Sequence, residues 1–417
     1  MAQKVILNLS SIDYSGAGTF TKNFNNLLLE AGYDSYLVVK DRRTNYEHAI
    51  RYSDSMQNLL LRKIARKKAK LEWRKVAYKY DYYYYNIFER YPKVSAKRIL
   101  SLIPFKPDVI FIHWVTDFIN AEIVSELQLL TEAKIYWFMV DNAPLTGGCH
   151  YPWDCKGYED DCSSCPAIIT KRYKTIAFEN LKFKKEHLPD SLKLLVFSEN
   201  DLQRAKKSMI FKKKCLTKMP GYFVDEDTFC PGNKDNAKVF FKLNKTQKII
   251  FFGATSLTER RKGMSVLLEA LKLLDSLYID FVLLVAGDIT DEFIHPKMNM
   301  LGSLNEEDLI KAYQASDIFV CPTLEDSGPT MVNQAMMCGL PVVSFPTGIG
   351  ADLVITGQTG YLATQLSPVD LANGIRYMLQ LSSLQLLKIG MQCRNLVMEM
   401  YGGKLNYQKV LSDLIEN

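Results

Sequence analysis

Two groups of residues in this 417-residue chain have the types and spacing to do chemistry. The first is the string EDSGPTMVNQAMMCGLPVV, from Glu325 to Val343, which follows an apolar run from Asp317 to Cys321 and a Pro322-Thr323 break. A strand, a turn carrying Ser327, Gly328 and Pro329, and apolar residues at helical spacing from Thr330 onward would set backbone N–H groups and a helix N-terminus beside one acidic side chain, Glu325. Such a place suits an anionic ligand that also carries hydroxyls. Upstream, Arg260-Arg261-Lys262-Gly263 stands between a strand ending in Gly253 and a helical run from Val266 to Leu274. Cations just before a helix N-terminus add to a site already positive by its dipole, and favour a diphosphate over anything neutral. Read alone, Glu325 is a solvated turn carboxylate and the basic triplet a surface run.

The second group is four of the nine cysteines, Cys149, Cys155, Cys162 and Cys165, inside GGCHYPWDCKGYEDDCSSCP. In a reducing compartment clustered cysteines point to metal before disulfide. Cys162-Ser-Ser-Cys165 has the knuckle spacing of a structural zinc site, which Cys149 and Cys155 would complete as a tetrahedron. His150 competes as a ligand, and unligated or disulfide-paired cysteines are the alternatives. A zinc held by four protein ligands would be structural, with no open position for chemistry.

The elements that must position these residues alternate along the chain. At this length two domains of roughly 200 residues each are the natural division. A composition of 47% hydrophobic and 24% charged residues excludes a disordered or membrane-spanning chain. MAQKVILNLSS carries too few apolar residues for a signal segment or a spanning helix, so a cytoplasmic, at most peripheral, location is expected. The strand Lys4 to Leu9 is followed by Asp13-Tyr14-Ser15-Gly16-Ala17-Gly18 and a helical run from Phe20 to Leu29, the opening of a doubly wound sheet whose small residues admit a phosphate. Turn glycines of purely structural use are the plainer reading of Gly16 and Gly18. Pro107 to Trp114 and Ile135 to Val140 are buried-type strands ending near His113 and Asp141, where ligands bind in such sheets. A lone histidine at a strand end is more often a satisfied core residue.

After the polar stretch from Lys234 to Lys248 a second series of strands and helices begins, and Leu301-Gly302-Ser303 makes another strand-end turn in it. The expected organisation is residues 1–220, 221–395 and a final helical segment, 396–417, with a Cys-rich insertion at 147–166. Within residues 61–80 apolar positions recur at helical spacing among nine Lys and Arg and a single acid, Glu72. That pattern fits a helix on an anionic membrane surface and equally a solvated face over a core stripe. It is one patch on a chain otherwise organised around a ligand cleft, which argues against a nucleic-acid partner.

The Glu325–Val343 string resembles the donor-binding segment of the family-4 glycosyltransferases. These are retaining enzymes of the GT-B fold, with two Rossmann-like doubly wound domains facing a cleft and a C-terminal helix crossing back to the first. The resemblance implies that Glu325 lies against the donor sugar, and that Ser327, Gly328, Pro329 and Thr330 offer backbone to the diphosphate. It places Asn333 where the family has a second Glu on the ribose; Asn333 can still hydrogen-bond a ribose hydroxyl as a neutral amide. Lys262 with Arg261 or Arg260 would neutralise the leaving diphosphate beside Gly253, Gly302 and Ser303 would cradle the base, and Gly16, Ala17 and Gly18 would face the donor from the first domain. His113-Trp114-Val115 and Pro144 to Tyr151, with the four cysteines, look like a subgroup that builds capsule, colanic-acid-like and O-antigen polysaccharides. That subgroup has His where this chain has Val140, so Asp141 or His113 would supply the polar group. The implied partners are a UDP- or GDP-sugar, a saccharide or lipid-linked saccharide acceptor and the inner-membrane surface, without a catalytic cofactor. The alternative is a catalytically weakened homologue that binds sugar nucleotide as a partner subunit.

Overall fold

The computed structural model describes residues 3–53, 67, 71, 74–85, 89–91, 94–288, 292–400 and 403–416. The chain divides into two compact units. The first takes in the chain up to Phe197, Asp201–Met219 and the residues from Gln408 onward; the second is Ser198–Asn200 with Pro220–Tyr407.

The first unit is built on a seven-stranded sheet of β1 (Val5–Ile12), β2 (Asp34–Asp41), β3 (Ala49–Arg51), β4 (Val109–Ile112), β5 (Lys134–Phe138), β6 (Lys193–Val196) and β7 (Leu216–Lys218), in the order β3-β2-β1-β4-β5-β6-β7. All pairings are parallel. Helices cover a parallel sheet on both faces, so its strands are continuous apolar runs; every residue of Val109–Ile112 is buried. The helix Ser15–Glu30 follows β1 and buries Phe20, Phe24, Leu27 and Leu28, a stripe at spacings of four, three and one. Asn120 starts the helix Ala121–Thr131 by accepting from the Ile123 N–H at 3.1 Å.

The second unit carries β8 (Ile249–Gly253), β9 (Val282–Ala286), β10 (Met298–Gly302), β11 (Ile318–Cys321), β12 (Val342–Ser344) and β13 (Gly360–Leu362), ordered β10-β9-β8-β11-β12-β13 and again parallel. In each sheet the winding reverses at one pair of neighbours, β1 with β4 and β8 with β11. The crevice beyond the C-terminal ends of such a pair is where an open α/β sheet receives ligands.

Three expectations need correction. Most of the basic run 61–80 lies outside the described residues, but its end is not helical. Tyr78 bridges Ile168, Val76 is buried, and Tyr80–Tyr82 is a 3-10 turn, because the Lys79 N–H is donated to the Ala167 carbonyl at 2.7 Å and not to a preceding turn. The last segment is two helices, Ser383–Met400 and Lys404–Glu416. Glu226 accepts the Lys404 N–H at 3.0 Å, and a Cβ on Gly403 would stand 2.2 Å from the same carboxylate oxygen, so the second helix starts afresh there. The return to the first unit begins at Gln408 and not at residue 396.

Candidate functional site

The switch point of the second unit gathers the residues that the sequence singled out. Beyond β8 the chain makes a 3-10 turn, Arg260–Lys262, and enters the helix Met264–Ser276 through Gly263. Gly263 has φ +75°, and a Cβ there would lie 1.8 Å from the Pro322 carbonyl oxygen, so only glycine lets the basic turn sit against the strand beside it. The Leu324 N–H is donated to the Arg261 carbonyl at 2.8 Å and fixes the two loops together. On the β11 side, Glu325, Asp326 and Ser327 are buried, Pro329 precedes the helix Thr330–Met337, and Gly328 carries no side chain because the Tyr222 ring is pressed against it, 2.2 Å from a Cβ position. Gly253, at the end of β8, is crowded by Met331 of that helix, 2.5 Å from a Cβ.

Asp326, which sequence reasoning passed over, ties these loops electrostatically. Its Oδ2 accepts from Lys262 Nζ at 2.6 Å and from Arg261 Nη1 at 2.7 Å, and its Oδ1 accepts from the Gly328 N–H at 3.3 Å. Burial by itself would raise the Asp326 pKa. The charges of Lys262 and Arg261 and their hydrogen bonds outweigh it and hold the carboxyl far below the ordinary value of 3.8. Arg261 is shared with Glu259 through Nη2 at 2.7 Å. The two cations are thus matched by Asp326 and Glu259, and what the site offers a diphosphate is cationic donors held in place beside a helix N-terminus. Lys262 uses one of its three donors on Asp326. Arg260 is exposed, as is Ser303, while Gly302 closes β10 at φ +70° and accepts from the Gly287 N–H at 3.0 Å. Asn333 is fully buried: its Nδ2 donates to the Tyr222 carbonyl at 3.2 Å, and its Oδ1 has no donor among the described residues. A buried acceptor without a partner is costly unless a ligand hydroxyl supplies one.

In the first unit the expectations divide. His113 is 1% exposed and packs among Phe20, Phe24 and Phe138, with Nε2 3.0 Å from Asn8 Oδ1. Burial pushes its pKa down to about 3, so it is a neutral core residue that cannot exchange a proton with a substrate. Asp141 is sealed in as well. Its Oδ2 accepts from Trp114 Nε1 at 2.9 Å and meets His150 Nδ1 at 2.6 Å, and its Oδ1 accepts from the Ala143 N–H at 2.8 Å. Burial would raise its pKa, but the His150 charge and these hydrogen bonds bring it below the usual carboxylate value. Asp141 is therefore an anchor for Trp114 and His150, not a group that reaches a sugar. His150 Nε2 lies 3.3 Å from Thr116 Oγ1, so both ring nitrogens are engaged away from the cysteines. Sequence reasoning had weighed His150 as a metal ligand; the acid nine residues upstream was the signal for its actual partner.

Gly16 is exposed with open space around its Cβ position, Ala17 is half-buried, and Gly18 touches the Asp13 backbone, 2.4 Å from a Cβ. Only Gly16 and Ala17 thus present backbone that a ligand could approach. At the β1/β4 switch point a depression of about 390 Å³ is lined by Tyr14, Lys40, Arg51, Trp114 and Thr116 among others. The four cysteines line a single small cavity elsewhere in this unit. There burial, reinforced by the neighbouring sulfurs, pushes the Cys162 thiol up to about 12.

Two parallel, doubly wound units with this strand order define the GT-B fold. The chain is similar over its whole length to a glycosyltransferase from Rickettsia africae ESF-5, at TM-score 0.67 and 15% identity, covering 100% of this chain and 98% of that one. It is similar also to Anabaena Alr3699/HepE in complex with UDP and glucose, at TM-score 0.62 and 11% identity, covering 100% of both. Residues 233–388, within the second unit, match the family model for glycosyl transferases group 1. D-inositol 3-phosphate glycosyltransferase of Mycolicibacterium smegmatis is 29% identical over 154 residues, which make up 33% of this chain and 34% of that protein. The chain thus spans about a third of the length of the curated relatives it matches. Among the described residues no helix is long and apolar enough to cross a membrane.

Proposed function

We propose that this protein is a retaining glycosyltransferase, moving a hexose-type sugar from a nucleoside diphosphate to a saccharide acceptor. The observation that carries the reading is the pair Lys262 and Arg261, locked on Asp326 at the β8/β11 switch point beside Glu325 and a helix N-terminus. When the bond from the anomeric carbon to the diphosphate breaks, negative charge grows on the departing phosphate while the sugar becomes oxocarbenium-like. Lys262, Arg261 and the N–H groups around Gly328 stabilise that charge from fixed positions. Glu325 orients the sugar, and the unpartnered Oδ1 of Asn333 accepts a ribose hydroxyl.

The acceptor belongs to the first unit. Trp114 and Tyr14 offer aromatic faces for a sugar ring in a depression that also holds Lys40 and Arg51. The family match covers residues 233–388, outside that depression, and the inositol phosphate relatives align over only about a third of either chain, so the acceptor in their names is not carried over. The likeness of Pro144 to Tyr151 to capsule and O-antigen enzymes supports a lipid-linked saccharide, met at the cytoplasmic face of the membrane, in surface polysaccharide assembly.

Calorimetric titration with UDP and with GDP, in buffer free of divalent cations, tests the reading. One nucleotide is expected to bind, with affinity reduced at least about tenfold in Lys262→Ala, the loss of one charge-assisted contact. Binding of neither nucleotide would remove the proposal. The second reading, a binding subunit with weakened catalysis, is motivated by Val140 and Asn333; nucleotide binding without donor hydrolysis or transfer to any acceptor would favour it.

A further inference from the structure

The cavity lined by Cys149, Cys155, Cys162 and Cys165 plays no part in sugar transfer as read above, and it is built unusually well for a loop. Between the end of β5 at Phe138 and the helix Thr175–His187 the chain forms only two 3-10 turns and isolated bridges, a long irregular stretch that needs something to hold it. All four cysteines line one cavity of about 10 Å³, room for a single water-sized body. Among the described residues no charged side chain lines it and the four cysteines form no disulfide. Cys149, Cys162 and Cys165 are buried. The Gly157 N–H is donated to Cys155 Sγ at 3.4 Å, and a Cβ on Gly157 would lie 3.5 Å from that sulfur and 3.6 Å from Cys162 Sγ. Cys162, the first residue of the Cys-x-x-Cys pair, is held at φ +59°, a left-handed conformation that a non-glycine residue keeps only when its surroundings impose it. His150, the competing ligand, is turned to Asp141 and Thr116.

We propose that these four cysteines bind one thiophilic divalent cation, zinc, as thiolates, and that this centre braces the segment carrying Asp141 and His150. Among the described residues no three His, Cys, Asp or Glu side chains already stand arranged to hold a metal ion, so binding draws the four thiols inward within the cavity, each losing its proton to solvent. The brace acts through short links. Cys149 adjoins His150, and its carbonyl accepts from Thr146 Oγ1 at 2.5 Å. The Asn142 N–H is donated to the His150 carbonyl at 3.0 Å, and Tyr84, whose ring lines the cavity, donates to the Gly147 carbonyl at 2.8 Å. The centre lies in the first unit and stands or falls independently of nucleotide binding by the second.

Elemental analysis of the full chain purified without chelators tests it. One zinc per chain is expected, released when a mercurial titrates the thiols. Metal-free protein whose four cysteines react as free thiols after denaturation, or are recovered as disulfides, overturns the proposal. Cobalt(II) exchange into the wild-type chain gives a second readout that needs no variant. Visible d–d bands of a tetrahedral site with sulfur-to-cobalt charge transfer are expected, and their absence counts against a thiolate site. In Cys162→Ser/Cys165→Ser, if it folds, those bands disappear. For the brace, metal release is expected to speed amide hydrogen exchange from Asn142 to His150 at least tenfold while leaving Ile249–Gly253 unchanged. Unaltered exchange at Asn142 to His150 rules the bracing role out.

Discussion

Asp326 shows how one residue sets the chemistry of its neighbours. It is not placed to meet a sugar; it is a positioning residue that aims Lys262 and Arg261. Replacing it by Asn leaves Lys262 against a neutral amide and Arg261 with Glu259 alone, at a cost of at most about 3–5 kcal/mol. Its folded pKa is depressed, so the stability it contributes is present above the ordinary carboxylate value of 3.8 and is lost as pH falls below that. The difference in melting temperature between wild type and Asp326→Asn is therefore expected at neutral pH and should shrink below about pH 4. His113 gives a second pH signature, from the first unit. A histidine held neutral in the fold, with its pKa lowered from 6.5 to about 3, binds its proton only when unfolded across that interval. Stability falls as pH drops from 6.5 towards 3, and urea titrations at stepped pH should show a flatter slope for His113→Gln.

Two glycines in the sequence's candidate turns have opposite mechanical meaning at the scale of the element. Gly263 joins the basic turn to its helix at φ +75° with the Pro322 carbonyl against it. Gly263→Ala forces backbone to move, and should lower stability by about 1–3 kcal/mol and weaken nucleotide binding together, since the same movement displaces Arg261 and Lys262. Gly16 lies in the first turn of the helix Ser15–Glu30 with nothing within 4 Å of its Cβ position. Gly16→Ala is expected to be neutral or stabilising by up to about 1 kcal/mol in thermal melts, because alanine is the better helix former. Any loss of activity in that variant would then report a ligand passing close to the backbone.

For the molecule as a whole, the end of the chain matters to the unit in which the chain begins. Beyond Gln408 the last helix belongs to the first unit, where Tyr136 Oη donates to the Leu414 carbonyl at 2.6 Å and Lys134 Nζ to that of Ile415 at 3.1 Å. Leu411 and Ile415 are buried, each contributing about 1.5–3 kcal/mol of apolar burial. Truncation after Tyr407 should lower the melting transition of the first unit while UDP or GDP binding by the second persists. Differential scanning calorimetry with and without nucleotide separates the two, because ligand raises only the transition of the unit that binds it.

The sequence by itself determined what depends on neighbours along the chain. Strands such as Val109–Ile112 show as apolar runs, the helix Met264–Ser276 as a periodic stripe, and the turns at Gly263 and Gly328 as breaks between them. Those patterns gave the doubly wound architecture and located Lys262 and Glu325. Only the tertiary structure decided which groups meet across the chain. Asp326 binds cations 64 and 65 residues away, and Trp114 reaches Asp141 across 27. His113 and Asp141 both stand at strand ends, where the pattern invites a catalytic assignment, yet packing turns one into an aromatic core and locks the other between an indole and an imidazole. The physical reason is that periodicity fixes which face of an element is buried, whereas the partner of a polar group on that face is set by the order in which strands lie side by side.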